Sequence, residues 1–215
     1  MPSSPRTIET LRFPAPVPYA EALRLQIARR DLVEQNLAPN TLILLQHPPA
    51  FTLGRKAHDS NLLRSRDELA NLGIEVCEAD RGGDVTYHGP GQLVAYPILR
   101  LAEWRLSVDW YLRQLEETIM AALAHYGLRG ERLAGFTGVW VQGAKVAAIG
   151  IGVHRWVTYH GIAINVDPNM EHWGLIVPCG IPDKPVTSLK RLLAHAPPVD
   201  EVAQVFENAF RTHFA

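Results

Sequence analysis

Cys179, Lys145 and the run 81–92 carry the residue types from which group-transfer chemistry could be built. Cys179 sits in Pro178-Cys179-Gly180. A cysteine between proline and glycine belongs in a loop, where a reagent can reach its thiol. Such a thiol becomes a nucleophile when its pKa falls from about 8.5 toward neutrality. The competing reading is an inert buried cysteine, the usual fate of a lone Cys. Cys77, inside the strand-like run 74–78, is assigned that fate.

Lys145 follows the turn at Gln142-Gly143 and opens the apolar run 146–153. A lysine beside so apolar a strand would be partly desolvated, which suits proton transfer. The plainer alternative is a hairpin-end lysine with its ammonium in water. The run 81–92 packs four glycines and a proline around Arg81, Thr86, Tyr87 and His88. Glycines let backbone approach a ligand closely and turn N–H groups toward it. A glycine-rich turn between two strands is the bland alternative. The run matches neither GxxxxGK[ST] nor GxGxxG.

His154, His160 and His172 could join Cys179 around a metal, but no CxxC or HExxH pattern anchors such a site. A Cys–His pair with His88 or His160 is a further possibility that nothing local selects. The expectation is no metal and no cofactor.

Of the 215 residues, 47% are hydrophobic and 20% charged, an ordinary globular balance. The net charge of -1 argues against a dedicated nucleic-acid binder, which would usually carry a basic excess. Two cysteines cannot form a disulfide framework. No secretory h-region and no membrane span are visible, so a cytoplasmic protein of one domain, 1–215, is expected.

These residues need elements to position them. Helices are expected at 19–36, with Leu23, Ile27 and Leu32 on the apolar side, and at 107–126, capped by Ser107 and stopped by Gly127. Two more are expected at 200–214 and, from the capping box Ser65-x-x-Glu68, at 67–72. Strands are expected at 7–13, 41–46, 74–78, 92–98, 139–142, 145–153 and 157–166. Tight turns should fall at Gln142-Gly143 and near His154-Arg155. The connections are short, which predicts an α+β fold with a mixed, largely antiparallel sheet flanked by helices.

In three separated blocks the chain resembles the octanoyltransferase family, the lipoyl(octanoyl) transferases of lipoate biosynthesis. The first block is Arg81-Gly82-Gly83-x-Val85-Thr86-Tyr87-His88-Gly89-Pro90-Gly91-Gln92. The second joins Gly143-Ala144-Lys145-Val146-Ala147-Ala148-Ile149-Gly150 with Tyr159-His160-Gly161-Ile162-Ala163-Ile164-Asn165-Val166. The third is Pro178-Cys179-Gly180. Asp84 stands where that family would be expected to vary, and an acid there could alter the loop's charge.

The resemblance implies a fold similar to biotin and lipoate protein ligase catalytic domains. It implies transfer of an octanoyl group from acyl carrier protein to a lysine of lipoyl domains, those of 2-oxoacid dehydrogenase complexes and glycine cleavage H protein. Cys179 would be the acyl-thioester nucleophile and Lys145 the group that tunes it and moves protons. Arg81, Gly82, Gly83, Asp84, Val85, Thr86, Tyr87 and His88 would bind substrate, together with Ala148, Ile149, Gly150, Gly161, Ile162 and Ala163. The small residues Ala147, Ala148, Gly150, Gly152, Gly161 and Ala163 could leave room for the acyl tail, or could simply pack the sheet tightly. The family suggests a monomer, and exposed Arg24, Arg29, Arg30, Arg55, Lys56, Lys184, Lys190 and Arg191 are basic candidates for acidic partners. The alternatives are an ATP-dependent lipoate–protein ligase on the same fold, a non-catalytic acyl-binding protein, and a thioesterase.

Overall fold

Residues 42–45 are apolar without a break, and the reason is a strand covered on both faces. In the computed structural model, which describes residues 6–177 and 184–214, Leu42 and Leu44 pack toward one layer of helices and Ile43 and Leu45 toward another.

In chain order the elements are β1 (Ile8–Arg12), α1 (Tyr19–Glu34), β2 (Asn40–Leu45), β3 (Ala50–Leu53), α2 (Arg66–Asn71), β4 (Glu75–Glu78), β5 (Val85–His88), β6 (Gln92–Ile98) and α3 (Val108–His125). Then come β7 (Glu131–Leu133), β8 (Phe136–Val141), β9 (Ala144–His154), β10 (Val157–Asn165), α4 (Leu189–Leu192) and α5 (Val199–Phe214). A seven-stranded sheet runs β1-β2-β6-β10-β9-β8-β7. Its β1–β2 pair is parallel and its other pairs are antiparallel. A second sheet of three strands, β4-β3-β5, stands beside it.

Helices α3 and α5 cover one face of the large sheet through Leu115, Ile119, Phe206 and Phe210. Helix α1 covers the other through Ala22 and Val33. The small sheet closes on Leu69, Ile74 and Trp173.

Local signals explain most boundaries. Ser107 accepts from the N–H of Trp110 and caps α3, and Gly127 past its end has φ +71. The capping box of Ser65 and Glu68 opens α2. Gln142 (φ +52) and Gly143 (φ +79) make the β8–β9 turn left-handed at both positions, as a two-residue hairpin requires. The β9–β10 turn falls one residue later than expected, with positive φ at Arg155 and Trp156.

Strands β3, β5 and β7 and the short α4 were not expected. The apolar face of α1 also differs from expectation. Leu32 is exposed, whereas Gln26 is fully buried.

Candidate functional site

Strands β5, β6, β8, β9 and β10, the loop before β5 and the first residue of α1 converge on one cleft, with an empty volume of about 530 Å³ including its open mouth. That is within the range of small-ligand sites. All the expected binding residues line it except Tyr87. Lys145 lines it too, and Tyr19, Tyr96, Thr137 and His160 complete the wall.

Arg81 is only 7% exposed and tightly held. Its Nη2 donates to the Thr52 carbonyl (2.6 Å) and hydroxyl (2.8 Å), its Nε to the same hydroxyl (3.2 Å), and its Nη1 to the Gly82 carbonyl (3.1 Å). Two glycines make room for it. A Cβ on Gly54 would stand 2.7 Å from Nη1, and one on Gly150 would stand 3.0 Å from Cδ. Gly82 pins the loop to β9 by donating to the Ile151 carbonyl (2.9 Å). Asp84 closes the loop, accepting from the N–H of Val85 (2.6 Å) and from Asn61 Nδ2 (2.8 Å). The acid at position 84 is therefore used locally.

Along β5, Thr86 and His88 face the cleft while Tyr87 packs into the small-sheet core. Tyr87 is thus a correction to the expected site. It packs edge-on against Phe51 and Trp173, and its hydroxyl meets His172 Nδ1 at 3.0 Å. The pleat puts alternate residues on opposite faces, and Tyr87 falls on the wrong one. His88 Nδ1 donates to Gln92 Oε1 (2.8 Å), so the last residue of the glycine-rich run orients a histidine within it. Full burial holds His88 well below the ordinary histidine range.

Behind His88, His47 donates from Nδ1 to the Val17 carbonyl (2.6 Å) and accepts at Nε2 from the Tyr96 hydroxyl (2.8 Å). Burial lowers His47 to about 4. His160 is 1% exposed and has φ +55 in the middle of β10, a strained backbone for a non-glycine residue. Its N–H donates to Gln26 Oε1 (2.7 Å), which is why α1 buries a glutamine. Its Nε2 donates to Asp80 Oδ1 (2.7 Å), and Asp80 also accepts from the Tyr159 hydroxyl. Burial pushes His160 down despite that carboxylate. Burial alone would raise Asp80, but the bonds from Tyr159 and His160 hold it below its usual range.

Lys145 is 7% exposed, which corrects the plainer expectation of a hairpin-end ammonium in water. Its Nζ lies 4.9 Å from the Trp140 ring centroid. A Cβ on Gly138 would stand 2.7 Å from the Ala147 carbonyl, so that glycine lets β8 and β9 approach closely, and Lys145 Cε passes beside it at an ordinary contact distance of 3.5 Å. The backbone of Lys145 bonds to Pro185 and Thr187.

Among the small residues, Ala148, Gly150, Gly161 and Ala163 line the cleft. Ala147 belongs to the core on the opposite face, and the Tyr159 ring fills the space over Gly152.

Cys179 lies outside the described residues. Cys77 is free and half-buried, and burial pushes its thiol up to about 12, which keeps it protonated. His154 lies near Glu34 (3.9 Å), His172 meets Tyr87, and His160 meets Asp80. Among the described residues, no group of three or more His, Cys, Asp or Glu could hold a metal ion. No helix among them is long and apolar enough to cross a membrane. Of the basic candidates, Arg29 is paired with Glu9, Arg30 with Asp31 and Lys190 with Asp167.

Tyr19, His47 and Tyr96 were missed because they come from three separate stretches of the chain. No local pattern joins them. His160 was weighed only as a metal or nucleophile partner.

The family model described as "Lipoyl protein ligase A/B catalytic domain" matches residues 18–211. An octanoyltransferase of Thermosynechococcus vestitus is 50% identical over 202 residues, covering 92% of this chain and 86% of that protein. Among solved structures, a bipartite lipoate protein ligase from Thermoplasma acidophilum superposes with a TM-score of 0.69 at 15% identity, covering 96% of this chain and 82% of that one. A biotin protein ligase from Aquifex aeolicus gives a TM-score of 0.52 at 18% identity, over 76% of this chain and 69% of that one. These two likenesses bear on the fold, a mixed sheet with flanking helices. The matched family model and the half-identical relative bear on more, and by them this chain belongs to the octanoyltransferases of the lipoyl protein ligase A/B catalytic-domain family.

Proposed function

We propose that the chain moves an octanoyl group from acyl carrier protein to a lysine of lipoyl domains, through an acyl thioester on Cys179. The observation that carries this reading is Lys145. It is a lysine buried in the wall of a small-residue cleft, on a strand bonded to Pro185 and Thr187, shortly after Cys179 in sequence.

A buried ammonium beside a thiol favours the thiolate by opposite-charge attraction. The thiolate attacks the carrier thioester, the C–S bond to the carrier breaks, and the carrier sulfur leaves as a thiol with a proton from the Lys145 ammonium, which becomes an amine. One thioester replaces another, so this exchange costs little. An acceptor amine then attacks the acyl enzyme. The C–N bond forms, the C–S bond breaks, and the amine form of Lys145 moves a proton from nitrogen to the leaving sulfur. A thioester is higher in energy than an amide, so no ATP is needed. Ala148, Ile149, Ile162 and Ala163 offer the tail an apolar wall. At roughly 0.8 kcal/mol per methylene, burying it contributes about 5 kcal/mol.

The acceptors in this reading are lipoyl domains of 2-oxoacid dehydrogenase complexes and glycine cleavage H protein. The chain acts as one catalytic domain, 1–215, in the cytoplasm and as a monomer, with no metal or other cofactor. Intact-mass measurement after incubation with octanoyl carrier protein tests the central step. Wild type and Cys77→Ala should gain one octanoyl group, and Cys179→Ala none. A lasting adduct on Cys179→Ala sinks the nucleophile assignment.

A further inference from the structure

Strand β10 leaves the large sheet just before it would pass Lys145. Its register sets Ile164 opposite Ala147, so two residues further Val166 would stand opposite Lys145. The strand ends instead at Asn165, and the Val166 N–H donates to the Gly91 carbonyl at 3.1 Å. The chain at 185–187 takes the vacated place and bridges Lys145 in parallel through Val186. On its other side Lys145 keeps β8, with Trp140 opposite.

Two buried amides stand at this handover, and neither belongs to the cleft wall. Asn165 Nδ2 donates to the Thr187 carbonyl at 3.0 Å. Gln92, the register partner of Asn165 on β6, donates from Nε2 to Asn165 Oδ1 at 2.9 Å and to the Tyr87 carbonyl at 3.1 Å. Gln92 Oε1 accepts from His88 Nδ1 at 2.8 Å, and the Thr187 N–H donates to the Lys145 carbonyl at 2.9 Å. The row thus runs one way, from His88 through Gln92, Asn165 and Thr187 to Lys145. The carbonyls of Tyr87 and Thr187 can only accept, so neither amide can flip. Hydrogen bonds aligned in this way polarise one another.

We propose that Gln92 and Asn165 are positioning residues for Lys145. They hold 185–187 in the place that β10 vacates, and so fix where the first residue pair of β9 carries the lysine. This role rests on the reading above, in which Lys145 moves protons during acyl transfer. Without the Asn165 donor, the carbonyl of Thr187, a residue only 6% exposed, loses its partner. Leaving a buried carbonyl unpaired is costly, so the segment shifts to satisfy it. That shift moves the strand neighbour of Lys145 on its open side. A displacement of about 1 Å among reacting groups costs up to about 10²-fold in rate. Without Gln92, Asn165 loses the donor that orients its amide, and the same segment loosens.

The test uses the full chain carrying Cys77→Ala, so that one thiol remains, and adds Asn165→Leu, Asn165→Ser or Gln92→Met, none of which brings a charge. Thr118→Val is the control, because it deletes a buried hydroxyl that bonds the Gln114 carbonyl on α3, outside the cleft wall. Two readouts are taken. One is kcat and KM for octanoyl transfer from acyl carrier protein to a lipoyl domain. The other is the pH at which iodoacetamide alkylation of the remaining thiol reaches half its maximal rate, followed by intact mass. Each of the three variants should lower kcat about tenfold and keep KM within about twofold. Each should also raise the alkylation midpoint by about one pH unit, as a thiol does when a nearby ammonium moves away. The midpoint and KM do not depend on the folded fraction, so a poorly folding variant still reports, and Asn165→Ser is the mildest of the three. A midpoint unmoved in all three variants, or moved equally by Thr118→Val, overturns the positioning role and leaves octanoyl transfer standing. A Cys77→Ala parent that transfers no octanoyl group overturns the function, and the positioning role with it.

Discussion

The backbone N–H of Lys145 donates to the carbonyl of Pro185 at 2.9 Å, and the Lys145 carbonyl accepts from the N–H of Thr187 at 2.9 Å. The pair makes a parallel bridge between β9 and the chain that follows Cys179. On the near side of Cys179, Val177 donates to the Asn61 carbonyl at 2.8 Å. The described chain is thus tied to the fold on both sides of 178–183, at Asn61 before it and at Lys145 after it.

From this tether follows the first prediction. Lys145→Ala should slow acyl transfer by about 10²–10⁴-fold, the usual weight of a positioned proton-transfer group. Stability should fall by only about 1–2 kcal/mol, the contact with Trp140 being among those lost. Lys145→Arg should not restore the rate, because a guanidinium keeps its protons at any working pH. Single-turnover rates beside denaturant melts check both parts. Transfer near the wild-type rate in either variant would remove Lys145 from the chemistry.

Arg81 depends on Thr52, a residue well outside the glycine-rich run. Thr52→Val keeps shape and strand but deletes the hydroxyl that accepts from both Nε and Nη2 of Arg81. A hydrogen bond to a charged group contributes about 1.5–3 kcal/mol. The variant should lose about 2 kcal/mol of stability and weaken substrate use, seen mainly as a raised KM if Arg81 shapes the binding wall. Unchanged melting and unchanged KM together would show that the backbone carbonyl of Thr52 suffices.

Much of this arrangement was legible in the sequence. Ser107, Gly127, Ser65 with Glu68, and Gln142-Gly143 are local signals, and the elements they delimit stand where expected. What was not legible lies in β3, β5 and the face of α1. Strand β3 is four residues behind His47-Pro48-Pro49, too short for a period to show. Strand β5 is hidden in a run whose glycines and proline look like a turn. Gln26 is buried because it must bond the strained backbone of His160, 134 residues away, and no helix periodicity contains that instruction. Local rules failed at the candidate site, where function overrides propensity.

Glycines in the site differ in what they do, and substitution should separate them. A Cβ on Gly161 would stand 2.3 Å from the Ala95 carbonyl and 2.8 Å from Pro97 Cδ, so β10 and β6 would have to part. Gly161→Ala should cost more than about 2 kcal/mol, as overpacking does when backbone must move. At Gly82 the nearest such atom is the Ile151 carbonyl at 3.6 Å, and its φ carries no left-handed demand. Gly82→Ala should melt within about 0.5 kcal/mol of wild type. Equal melting of the two variants would mean that β10 and β6 separate at little cost.

His47 makes stability depend on pH. Its folded pKa is about 4, against 6.5 for an unburied histidine, with burial as the main cause. The folded state binds the proton more weakly than the unfolded chain does. The contribution is therefore complete above pH 6.5 and is lost as pH falls through the window from 6.5 toward 4. Between pH 7 and pH 5 this one group should remove about 2 kcal/mol of unfolding free energy. His88, buried beside it and shifted the same way, adds to the loss. Denaturant titrations of wild type and His47→Gln at the two pH values measure the difference. The variant should start less stable at pH 7, because the bonds to Val17 and Tyr96 are weakened, yet lose about 2 kcal/mol less on acidification. An identical drop in both proteins would show that folding leaves the proton affinity of His47 unchanged, and a smaller drop in wild type than in the variant would show that His47 carries its proton when folded.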